Sequence, residues 1–411
     1  MSTTRTACWT LALAFAALCL VTPSQAAENA IDTRGYIYGT VETESGTEYT
    51  GLMRWGTEEA FWDDLFHGSK EDLPYLEEQP DDERRRRITI LGITVGYRYD
   101  DSKGGRLLVA RYGDIQEIEV TGSDSAKLLM KSGSVIRVDG GSNDIGGDVT
   151  VFDASLGAIE LSWKKIERIT FKETPASLDP PGYRLYGKLI ADGGETFEGY
   201  IQWDVQECLS IDKLDGETRD GDLSIEMGQI RKITKESRSA SLVELKDGRE
   251  FVLRGTNDVN DENRGIMVQD ERFGRVSVGW DAFESLEFVE NGKSGKGYGE
   301  YKPGRALKGT VTDRSGGKHQ GALVFDLDET ESWEMLHGSR NDIEYIIPFE
   351  KVRSVRPDRW ETAVVTLQGG VELQLGEGQD VSDKNAGVVV LKGADSKEYV
   401  AWKDVKLVEF E

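Results

Sequence analysis

Cysteine is nearly missing from this chain. It has three in 411 residues, and two of them, Cys8 and Cys19, fall in an N-terminal stretch with the marks of a secretory signal. A disulfide framework is excluded, and Cys208, in the strand-like run Glu207-Cys-Leu-Ser-Ile211, reads as a buried structural thiol. Histidine is equally scarce, at three, and no HxH, HExxH or Cys-His spacing exists, which removes the usual zinc sites. Excess positive charge is absent too: 50 Lys and Arg stand against 75 Asp and Glu, a net charge of −25 that repels nucleic acid and anionic lipid. No apolar run after the first 26 residues is long enough to span a bilayer, so no transmembrane segment is expected in the mature chain.

The N-terminus itself carries Arg5, an apolar stretch from Ala7 to Val21 and the small-residue ending Pro23-Ser-Gln-Ala26. That order of charge, apolar core and small residues predicts a signal peptide over residues 1–26, cleaved after Ala26. The mature protein is then expected to be periplasmic or secreted, from a bacterium.

What the sequence does have is a threefold repeat. Gly39-Thr-Val, Gly187-Lys-Leu and Gly309-Thr-Val each open a run that reaches Gly51-Leu-Met-Arg-Trp55, Gly199-Tyr-Ile-Gln-Trp203 and Gly321-Ala-Leu-Val-Phe325. Each copy closes on an aromatic cadence at Trp163 to Phe171, Trp280 to Phe288 and Trp402 to Phe410, about 120 residues apart, a period of one small domain. Two stretches rich in Pro and Gly, residues 172–182 and 291–304, cut the chain into units at 31–171, 183–290 and 305–411. Unit one alone carries an insertion over 69–106. Alternating strand-length runs with turn pairs such as Asp247-Gly248 make the fold class all-β.

Each unit also divides in two. In unit two the halves run from Tyr186 to Ile233 and from Ser241 to Phe288, each with room for five short strands. Both end on a short turn and an apolar strand, Met227-Gly-Gln-Ile-Arg-Lys-Ile233 and Gly279-Trp-Asp-Ala-Phe-Glu-Ser-Leu286. The segment Gly187 to Asp204, with an acidic-glycine turn, a second strand broken by Gly199 and an Asp after it, resembles the first motif of Sm-like barrels. Gly309 to Asp326 matches it, whereas unit one has Gly56 where Asp204 and Asp326 stand. The resemblance implies tandem SH3-like or Sm-like small β-barrels, two per unit, and carries no functional residue across.

Candidate site residues are few. Asp258, Asn260 and Glu262 in Asp258-Val-Asn-Asp-Glu-Asn-Arg-Gly265 place oxygens at alternate positions before a glycine, as a calcium loop does. Unit three has Lys384 at a would-be ligand position, and only the first Asp recurs in all copies as Asp144, Asp258 and Asp380, which favours a turn-capping Asp and leaves calcium as the alternative. Trp62 with Asp64, and Trp333 with Glu334, form aromatic-carboxylate pairs that could stack on sugar or grip a basic peptide. The insertion holds Arg84, Arg85, Arg86 and Arg87 after an acidic run, a surface for an acidic partner or for the acidic face of another unit.

No nucleophile-base pair, phosphate-cradling glycine loop or metal-ligand spacing emerges, so a non-enzymatic protein without a cofactor other than calcium is expected. The leading reading is a binding or scaffolding protein of the cell envelope that contacts an envelope protein. A carbohydrate or peptidoglycan (cell-wall polymer) binder and a calcium-stabilised structural protein are the alternatives.

Overall fold

The repeated glycines face one another. Gly39 pairs with Gly51, Gly187 with Gly199 and Gly309 with Gly321 across the first hairpin of each unit. A Cβ on Gly199 would stand 2.0 Å from the Gln269 carbonyl oxygen, and one on Gly309 2.0 Å from that of Glu409. Glycine therefore recurs because the neighbouring strands approach the hairpin too closely for any side chain.

The structure, a computed structural model, describes residues 31–79, 85–90, 93–99, 106–140, 144–176, 178–359, 361–393 and 396–411. The expected signal peptide lies outside them. The described residues are all-β, built into large antiparallel sheets, and their helical segments are single 3-10 turns. Among them no helix is long and apolar enough to cross a membrane.

Unit two shows the plan. Its ten strands are Tyr186–Ala191, Thr196–Gln202, Lys213–Glu217, Asp222–Glu226, Ile230–Ser237, Ala240–Leu245, Glu250–Leu253, Ile266–Asp270, Gly274–Val278 and Phe283–Phe288. The first pairs with the second and the tenth, and the second with the eighth, which pairs with the ninth. The third pairs with the fourth, the fifth with the sixth, and the sixth with the seventh. A bridge from Glu217 to Arg254 ties the third to the end of the seventh. The corresponding pairings recur in units one and three.

The two halves of a unit therefore do not close on themselves in sequence order. Strands one and two of the first half join strands eight to ten of the second, and strands three to seven make the other group. Pairing of the fifth and tenth strands, as Lys232 with Glu287 and Ile233 with Leu286, joins the groups. The cause is local: the short Arg238-Ser239 connection forces the fifth strand to pair with the sixth. With the tenth on its other edge, the fifth has no edge left for the first strand.

Units two and three share one 18-stranded sheet, because Arg275 to Val278 pair with Ile343 to Ile346. Residues 31–411 form one compact unit. The segment 291–304 is packed rather than free: Tyr301 is buried in the unit-one core against Gly113, and Tyr298 lies 4.5 Å from Trp62, centroid to centroid. Lys131 holds this strap, its Nζ 3.2 Å from the Tyr298 ring centroid and hydrogen-bonded to the Tyr301 carbonyl at 3.2 Å. Trp55, Trp163, Trp203, Trp280, Phe325 and Trp402 fill the cores.

Candidate functional site

The aromatic-carboxylate pairs do not form an exposed groove. Trp62 is fully buried against Phe171 and Tyr298 and donates its indole N–H to Thr174 Oγ1 at 3.1 Å. Trp333, 2% exposed, enters the unit-one core and donates to Glu331. Neither ring is open to a sugar or peptide, which corrects the ligand-binding reading of these residues.

Their carboxylate neighbours have a different task, and unit two has the same device. Asp64 accepts the N–H groups of Ala60 and Phe61, Asp212 those of Cys208 and Leu209, and Glu334 those of Thr330 and Glu331. Each therefore caps the same turn. Each also takes a cation from another unit: Asp64 takes Arg275 at 2.9 Å, Asp212 takes Arg54 at 2.8 Å and Glu334 takes Lys70 at 2.6 Å. Arg184 adds a fourth tie, stacked between Phe61 and Tyr200 and paired with Asp63 at 2.7 Å. Buried pairs of this kind fix relative position strongly, since removing one partner strands the other charge.

The proposed calcium loop is also rearranged. Asp258 accepts the Asp215 N–H at 2.7 Å, as Asp144 does for His67 at 2.7 Å and Asp380 for His337 at 2.6 Å. The recurrent Asp thus bonds a mid-strand N–H, that of the residue before Gly68, Gly216 and Gly338, each of which lies within its strand. Asn260 turns back to accept the Glu262 N–H at 2.8 Å, and Glu262 is exposed. Among the described residues, the carboxylates that converge with Asp258 are Asp204 and Glu207, all three within 4.8 Å of one another. Asn260 and Glu262 are therefore not ligands in a common site, and the alternate-position pattern misled because the oxygens come from two loops.

The equivalent group in unit three is Asp326, Glu329 and Asp380, also within 4.8 Å and all buried. Asp204 and Asp326 stand where unit one has Gly56, and no local pattern in the sequence joins them to the later loop. Lys384, which seemed to spoil the third copy, is exposed. Burial pushes Asp258 up to about 6 and Glu207 up to about 9, aided in both by the neighbouring carboxylates. Burial likewise raises Glu329 and Asp380 well above the usual carboxylate range. In unit one, Gly56 leaves Glu59 and Asp144 without the third carboxylate.

Of the arginine run, Arg84 lies outside the described residues. The backbone of Arg85–Ile90 is a strand paired with Ile93–Tyr99, so Arg85, Arg86 and Arg87 stand in a hairpin rather than a loop. The start of the insertion is docked on unit three, where Tyr75 and Leu76 pack on a cluster with Val324 and Leu327.

No protein-family model and no curated protein matches this chain. A solved streptogramin B lyase structure aligns over 85% of this chain and 99% of its own at 10% identity, but its TM-score of 0.17 is too low to bear on fold or activity.

Proposed function

We propose that this chain is an exported, non-enzymatic binding or scaffolding protein of the bacterial cell envelope, presenting a protein partner with a fixed array of small β-barrels. The carrying observation is the set of buried cross-unit ion pairs, Arg54 to Asp212, Arg275 to Asp64 and Lys70 to Glu334. Such ties hold surfaces of different units in fixed relation, which lowers the ordering cost of binding. The barrel reading is supported by strand order: ten, one, two, eight, nine in one group and five, six, seven, three, four in the other. In each group a short turn precedes the tenth or fifth strand, as in SH3-like and Sm-like barrels; it is a 3-10 turn everywhere except before the tenth strand of unit two. The net charge of −25 favours a basic partner surface, with the arginine hairpin as a separate contact.

The test is mild crosslinking of the mature protein in envelope extract, against a variant whose residues 80–105 are replaced by a short Gly-Ser link. The docked residues 71–79 stay, so the contact with unit three survives. A specific protein captured by the full chain and lost with the hairpin supports the reading. Failure of both forms to retain any protein contradicts it.

A further inference from the structure

A carboxylate oxygen buried without a donor is costly; among the described residues unit two has one in its own cluster, Glu207 Oε2, and unit three has two. Glu329 is 7% exposed, and its Oε2 has no hydrogen-bond partner among the described residues; Asp328 Oδ1 is in the same state. Glu329 lies against Asp326 and Asp380, 1% and 4% exposed, with one oxygen of each within 4.8 Å of the others. Two oxygens on opposite sides of a calcium ion stand about 4.8 Å apart, given metal–oxygen distances near 2.4 Å. All the donors are hard oxygens, and among the described residues no sulfur or imidazole joins the cluster.

The local charge is out of balance. Among the described residues, Asp326, Asp328, Glu329, Glu334 and Asp380 face two basic side chains from unit one, both already engaged. Lys70 is held by Asp328 at 3.1 Å and Glu334 at 2.6 Å, and Arg106 by Asp326 at 2.8 Å.

Unit two shows what fills the same place there. Arg264 donates its backbone N–H to Asp204 at 2.6 Å and returns its guanidinium to the same carboxylate at 2.7 Å. In unit three the residue whose N–H reaches Asp326 is Ala386, so that unit has no cation of its own at this point. We propose that Asp326, Glu329 and Asp380 form a binding site for a hard divalent cation of the calcium class, specific to unit three.

The test is calorimetric titration of calcium chloride into the EDTA-stripped full chain at neutral pH, with thermal unfolding in parallel. The wild type takes up calcium at one saturable site with Kd between about 10⁻⁶ and 10⁻³ M and melts higher with the ion. Glu329→Gln, nearly isosteric, weakens binding at least about tenfold, or 1.4 kcal/mol; Glu207→Gln in unit two leaves it unchanged. Ala386→Arg, which copies the guanidinium of unit two, removes binding; because Ala386 is 4% exposed, Glu329→Asp, which keeps the charge and shortens the reach, also weakens binding and carries the test if the other two variants fail to fold. Absence of heat and of any melting shift with calcium, magnesium or manganese overturns the proposal. So does calcium uptake that persists in a folded Glu329→Gln or Ala386→Arg protein, or that is lost in Glu207→Gln alone.

Discussion

The Arg54 guanidinium spans both oxygens of Asp212, at 2.8 and 2.9 Å, with each side chain 12% exposed. Asp212 Oδ2 also accepts the N–H groups of Cys208 and Leu209, so one carboxylate caps a turn in unit two and receives a cation from unit one. Arg54→Met keeps the stem and removes the charge. It should destabilise the protein by about 3 kcal/mol, read from urea unfolding, whereas a change below about 1 kcal/mol would reduce the pair to a surface contact.

The strap makes a packing prediction. An added Cβ on Gly113 would stand 2.5 Å from the ring of Tyr301. Gly113→Ala should therefore cost about 1–3 kcal/mol and Tyr301→Ala about 3–5 kcal/mol. Because the two meet directly, the double variant should lose less than the sum, as a double-mutant cycle in urea would show.

Backbone strain gives a stabilising change. Val205 has φ 64, a left-handed conformation that a β-branched residue adopts at a cost. Gly56 occupies the position before it in the unit-one turn, whereas units two and three place Asp204 and Asp326 there at φ 48 and 46. Val205→Gly should raise stability by about 0.5–1 kcal/mol in chemical denaturation. A loss would mean that its side-chain packing outweighs the strain.

His319 sets an alkaline limit. Its ring lies between Asp313, 3.0 Å from Nε2, and Glu398, 2.6 Å from Nδ1, and these bonds raise its pKa above the ordinary 6.5. A folded-state pKa above the unfolded one stabilises fully below about pH 6.5, and the gain is lost as pH rises through the raised value. His319→Gln should be less stable than wild type at pH 6, with the gap closing toward pH 9. Urea midpoints across that range check it, and a gap that widens with pH would reverse the assignment.

Much of the architecture was legible because it rests on local rules. Gly187 and Gly199 recur in every unit because carbonyls approach them, and Asp258 recurs because it caps a backbone N–H. The interleaving of the halves was not legible, since strand edges are allotted by the Arg238-Ser239 connection and by pairings far apart in sequence. The cross-unit ties escaped for a related reason: Arg54, Lys70 and Arg275 carry no local pattern that names Asp212, Glu334 and Asp64. Trp62 and Trp333 looked available only because residues 291–304 and the unit-one core that cover them are remote in the chain.

Buried ion pairs hold the three units in one body. The distance between spin labels at Ser45 in unit one and Ser315 in unit three, both exposed, in a Cys208→Ser background, measures this. The labels should give one narrow distance distribution, which broadens when Arg54, Lys70 and Arg275 are all replaced by Met. A broad distribution in the unaltered protein would contradict it.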